Sequence, residues 1–117
     1  MMERNDSNTE IEVIKKRIRE FVAARHWQEF HSPKNLAMSV AIEAAELMEI
    51  FQWKTHEEAL NITQSSEFEH LREELADVMI YCISMSNQLG IDIATMIEDK
   101  VKKNGIKYPE PKVSMEG

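Results

Sequence analysis

Two acidic pairs share one spacing in this chain: Glu43 with Glu46, and Glu74 with Asp77. Residues three apart on an α-helix are surface neighbours, so each pair can aim two carboxylates at one point. Leu36, Val40, Leu47 and Ile50 form a stripe at helical spacing, and Glu43 falls in its middle. Glu46 lies one turn on, along the flank shared by Asn35, Ser39 and Trp53. The second pair meets the apolar run 75–83, in which Asp77 is the only formal charge, and Tyr81 follows Asp77 by one turn. A carboxylate in such a stripe is strongly disfavoured unless it is protonated, paired with a cation or bound to a metal. No Lys or Arg lies near either stripe centre, so a metal satisfies both pairs at once. The alternative for some of these acids is a solvent-facing position or pairing with Arg72 or Lys54.

Ligation by carboxylate oxygens suits a hard cation, and Mg2+ commonly combines a few carboxylates with waters and substrate phosphates. Phosphate chemistry is the natural inference. A competing metal reading uses Glu67 and His70, the Glu-x-x-His spacing of di-iron bundles, but such sites need two copies of the motif, which only a homodimer would supply. The formal charge of -7 argues against a partner held by neutralising nucleic-acid phosphates. It leaves room for a small phosphorylated ligand, because a bound divalent cation inverts the local sign of an acidic pocket.

The elements that must position these residues are helices. Three glycines and three prolines punctuate 117 residues rich in Ala, Leu, Ile, Met, Glu and Lys. A first amphipathic helix is predicted over 10–26, from Ile11, Ile14, Ile18, Phe21 and Val22. Ser32-Pro33 opens a long second helix to about residue 54. Thr55 with Glu58, and Ser66 with Glu69, have capping-box spacing, so a short helix and then a long one over about 67–89 begin there. Gly90 is placed to end that helix, Asp92 to cap the next, and Gly105 to close it after Asn104. The prediction is an all-α antiparallel bundle in one domain spanning 1–117, with loose ends at 1–9 and 109–117. A core of this size would be enlarged by assembly. Cys82 cannot form an internal disulfide, no leader opens the chain, and no apolar run approaches a membrane span; a cytoplasmic protein without a membrane partner is expected. Cys82 and the eight methionines are expected simply to pack.

The stretch 27–36, Trp-Gln-Glu-Phe-His-Ser-Pro-Lys-Asn-Leu, followed by Glu43-Ala44-Ala45-Glu46-Leu47 and Phe51-Gln52-Trp53-Lys54, resembles the MazG-like superfamily, and most of all its dCTP pyrophosphatase branch. Glu73-Glu74-Leu75-Ala76-Asp77 through Tyr81 continues the likeness, and Asn104-Gly105-Ile106-Lys107-Tyr108-Pro109 resembles the family's closing motif. The resemblance implies an all-α NTP pyrophosphohydrolase assembled as a dimer or tetramer, with Mg2+ on Glu43, Glu46, Glu74 and Asp77. The implied reaction cleaves a nucleoside triphosphate, a pyrimidine such as dCTP or a modified dCTP, between the α and β phosphates. Glu49 matches a further acidic position that would bind a second metal or orient the attacking water. Lys54, Asn104 and Lys107 match positions near phosphates, although the family often has Arg where Lys107 stands. Trp27 and Trp53 would sandwich the base, joined by Tyr81 and Asn35, with His31 and Lys34 as weaker candidates. One position departs: dCTP-preferring relatives carry histidine in the first helix where this chain has Ile18, so the base stays open. A second class compatible with the same acids is a non-catalytic helical adapter that binds metal or nucleotide.

Overall fold

The computed structural model describes residues 3–112, and every regular element within them is helical. Helix α1 spans Ile11–Ala24, α2 Pro33–Phe51, α3 His56–Leu60, α4 Phe68–Leu89 and α5 Ile93–Lys107, with 3-10 turns at Gln28–Phe30 and Ile62–Gln64. Residues 1–2 of the expected loose amino-terminal end, and 113–117 of the expected tail, lie outside the described residues. Among the described residues no helix is long and apolar enough to cross a membrane.

Local side-chain chemistry sets most boundaries. Ser32 Oγ accepts from the Asn35 amide at 3.1 Å, with Pro33 at the first helical position. Thr55 and Glu58 close a reciprocal capping box at α3. Gly90 ends α4 at φ 65°, where a Cβ would be strained. Other boundaries differ from the sequence prediction. The first helix stops at Ala24, short of His26, whose φ of 54° turns the chain. Ser66 and Glu69 make no capping box: Ser65 accepts from the Glu67 amide at 3.2 Å, and Glu69 is engaged by Arg72 at 2.9 Å. Gly105 lies inside α5, which runs to Lys107, and Pro109 then blocks continuation.

Helices α2 and α4 make the most extensive contact, and α1 packs on α4. Glu49 shares a cleft with Glu67 and His70, whereas Glu43 senses Asp77, so α2 and α4 run antiparallel. Ile18, Val22 and Ile83 form a small core with Ile14 and Ile93 against it. The buried Lys15 ammonium donates to the Ile91 carbonyl at 2.9 Å, and Asn87 Nδ2 donates to the Lys15 carbonyl at 3.1 Å, fastening α1 to the turn after α4. Only six hydrophobic side chains are buried among the described residues, while Met38, Ile42 and Met48 of α2 and Leu75, Met79 and Ile80 of α4 are exposed. Cys82, expected to pack, is exposed with them. The radius of gyration, 18.2 Å, exceeds the roughly 13–14 Å of a compact chain this long, and α5 packs only marginally on the rest.

Candidate active site

The α2–α4 seam brings the predicted acids together. One carboxylate oxygen from each of Glu43, Glu46 and Glu74 lies within 4.8 Å of the other two. Like charges this close oppose ionisation. The Glu43 carboxyl is pushed from 4.5 to about 7, first by burial, then by Glu46, and further by Glu74 and Asp77. Asp77 is thus an electrostatic neighbour of the group without being one of its three converging members.

The cations near these acids are committed elsewhere. Lys54 Nζ lies 2.7 Å from Glu67, and Arg72 pairs with Glu69. Glu74 meets His70 Nε2 at 3.3 Å through one oxygen, but its other oxygen and Glu43 Oε2 are buried without a hydrogen-bond partner. Buried acceptors without donors are costly, and a divalent cation would satisfy several at once. The donor set therefore fits a hard metal ion.

Beside the acids a cavity of about 410 Å³ opens between α1 and α4, and Asp77 lines it together with Trp27, His31 and Tyr81. The aromatic rings form a chain: Phe21 to Trp27 at 5.8 Å, Trp27 to His31 at 6.0 Å, and His31 to Tyr81 at 6.4 Å between centroids. This aromatic, largely apolar room adjoining an acidic cluster is shaped for a flat ring attached to a charged tail. Sequence reasoning did not assign Arg17 or Ser84 to this wall. Ser84 was accessible to it, since Asp77, Tyr81 and Ser84 follow one another at four- and three-residue steps on one face of α4.

The remaining predicted residues are spread more widely. Glu49 borders the cleft that holds Glu46, Glu67, His70 and Glu74. Of the Glu67–His70 pair, Glu67 faces Lys54 and His70 faces Glu74, and both border that same cleft. Asn35 donates to the Phe30 carbonyl at 3.0 Å, holding the 3-10 turn that carries Trp27 and His31 into place, and Lys34 is exposed beside it. Trp53 is 88% exposed beyond the end of α2 and does not line the cavity, so the two tryptophans do not enclose it within one chain. Asn104 and Lys107 lie at the far end of α5, where the Lys107 ammonium sits 5.2 Å from the Tyr108 ring centre. Neither borders the acids or the cavity.

Comparison with known proteins gives a consistent picture. Residues 38–116 match the MazG-like family. The chain is 36% identical over 100 residues to dCTP pyrophosphatase 1 of Homo sapiens, covering 85% of this chain and 59% of that protein. It is 35% identical over 104 residues to dCTP pyrophosphatase 1 of Bos taurus, covering 88% and 62%. The chain thus spans about three-fifths of the length of these relatives. A solved pyrophosphatase from Archaeoglobus fulgidus DSM 4304 superposes with a TM-score of 0.78 at 35% identity, covering 94% of this chain and 99% of that one.

Proposed function

The chain belongs to the MazG-like family, and from that premise we propose that it hydrolyses a nucleoside triphosphate to the monophosphate and pyrophosphate with a divalent cation, Mg2+, held by Glu43, Glu46, Glu74 and Asp77. The observation that carries this reading is the trio of converging carboxylates with two buried oxygens lacking any donor. When bound, the cation would neutralise phosphate charge and favour attack by water on phosphorus.

The side chains would supply the rest. Glu43 and Glu74 fix the seam side of the site, with His70 orienting Glu74. Asp77, shared by the acid group and the cavity, sets the base and phosphates on opposite sides of itself. Glu49, on the rim of the adjoining cleft, accepts the proton of the attacking water. Trp27 and Tyr81 form the walls for the base, and the relatives' name, dCTP pyrophosphatase 1, supports a pyrimidine such as dCTP as the substrate. No covalent nucleophile is required.

The protein works as a homo-oligomer in this reading. Met38, Ile42 and Met48 of α2 and Leu75 and Met79 of α4 are exposed hydrophobic side chains of the kind buried at homodimer seams. Assembly would also give Trp53, Asn104 and Lys107, distant from the acids of their own chain, a site to serve on a neighbouring copy.

The test is release of pyrophosphate and monophosphate from canonical and modified dNTPs, with and without magnesium, by the wild type and Glu46→Gln. Metal-dependent release, at least 100-fold slower in the variant, is expected. Absence of turnover on every nucleotide would sink the enzymatic reading and leave a binding adapter.

A further inference from the structure

Two serines of α4 are buried within three residues of each other, Ser84 at 5% and Ser86 at 3% exposure. Ser86 Oγ donates to the Ile83 carbonyl at 2.7 Å, the usual way a helical serine satisfies itself. Ser84 Oγ has no partner, and neither has His31 Nδ1, which is also sealed from solvent. A buried hydroxyl without a partner is disfavoured, and in native proteins such a group calls for a specific explanation.

The two orphans lie in one wall. Ile18, Val22, His31 and Ser84 border both the 410 Å³ cavity and a second one of about 240 Å³ on the far side. Of these four partition residues, Ile18 and Val22 offer only hydrocarbon. Any hydrogen bond made by this wall to a ligand must therefore come from Ser84 or His31. Ser84 also continues the face of α4 that carries Asp77 and Tyr81, both lining the larger cavity.

We infer that Ser84, with His31 in the same wall, is a base-selecting residue: its hydroxyl, turned from its sealed position toward the cavity, hydrogen-bonds the polar edge of a nucleobase seated in the cavity that Trp27 and Tyr81 line. This rests on the nucleotide reading above, and it places base selection on a polar pair where the Ile18 side chain supplies none. A hydroxyl both donates and accepts, so it fits the heteroatom edge of a base while the apolar wall rejects water. The group acts on binding of the base and leaves phosphoryl chemistry alone.

The test compares wild type with Ser84→Ala and with Ser84→Cys, which keeps nearly the same shape but makes only a weak hydrogen bond. Substrates are the four dNTPs and a base-free deoxyribose triphosphate, with calorimetry of the four deoxynucleoside monophosphates binding to the chelated protein as a second readout. Both variants should raise KM for the best dNTP about tenfold, keep kcat within about twofold, narrow the ratio between best and worst base, and leave the base-free substrate unchanged. The monophosphate affinities should fall by a similar factor. Equal losses on the base-free substrate, or unchanged base ratios and affinities in both variants, would overturn the assignment and make Ser84 a packing residue. A wild type that binds monophosphates selectively yet hydrolyses no triphosphate would remove the enzymatic reading while leaving the role of Ser84 to be decided by the binding data.

Discussion

Glu43 makes the metal-free protein weaker at neutral pH than in mild acid, and Glu43→Gln should remove that weakness. In the folded chain its carboxyl titrates at about 7, raised from 4.5 by burial and by Glu46, Glu74 and Asp77. Between these two values the folded state holds a proton that the unfolded state has lost, so stability falls as pH rises through this window and levels off above it. At ~1.36 kcal/mol per tenfold, the shift from 4.5 to about 7 corresponds to a ceiling of ~3.4 kcal/mol. Glu46 is exposed and water reaches one side of the cluster, so screening reduces the effect to ~1–2 kcal/mol. For a domain of this size that is about 5–10 °C in Tm. The assay is thermal unfolding in a chelator from pH 5 to 8. Glu58 and Asp92 are held below the usual carboxylate range, chiefly by hydrogen bonds from Thr55 and Thr95, and act with the opposite sign. They are common to both proteins and cancel in the difference. At pH 8 Glu43→Gln should be the more stable protein; at pH 5, where Glu43 is protonated, the two should nearly coincide. Excess magnesium should raise the Tm of the wild type more than that of the variant. A difference between the two proteins that does not change with pH would refute the reasoning.

Leu36 is 1% exposed, and Leu36→Ala should lower stability by ~2–5 kcal/mol, read as a reduced urea midpoint at unchanged slope. Thr55→Ala removes one half of a formed capping box and should cost ~1 kcal/mol in the same experiment. Met48 is 63% exposed on α2, so Met48→Glu should shift the mass measured by light scattering towards the single chain; an unchanged mass would exclude this side of α2 as a subunit contact.

What the sequence disclosed depended on how local the cause was. The acid pairs were legible because three-residue spacing within an apolar stripe is a property of one helix. Their convergence then needed only that the two stripes meet. Ser32, Thr55 and Gly90 marked true boundaries because their partners lie within a few residues. Ser66 and Gly105 carried the same signals and misled. Arg72 holds Glu69 away from the proposed cap, and nothing forces the chain out of helix until Pro109. The pairing of Lys54 with Glu67 joins residues 13 apart, one just after α2 and the other just before α4, and no periodicity reports it. The orphaned Ser84 hydroxyl is likewise a consequence of α1 lying over α4, and it becomes visible only once both helices are in place.

The site and the main packing seam are the same structure. Leu36, Glu43 and Ile50 follow one another at seven-residue steps along one line of α2, and the outer two are 1% and 7% exposed. Those two apolar anchors press α2 onto α4 one double turn on either side of Glu43, and so enforce the burial that raises its pKa. The hydrophobic contacts that hold the helices together therefore also hold like charges together at a cost. A ligand that neutralises those charges offsets this cost, and binding energy at the acids becomes folding energy at the seam. With only six buried apolar side chains among the described residues, the seam has little stability to spare. Substitutions of Leu36 or Ile50 should consequently act on metal affinity as well as on stability, although neither side chain carries a ligand atom, because the geometry of the acids is set by how firmly α2 is pressed against α4.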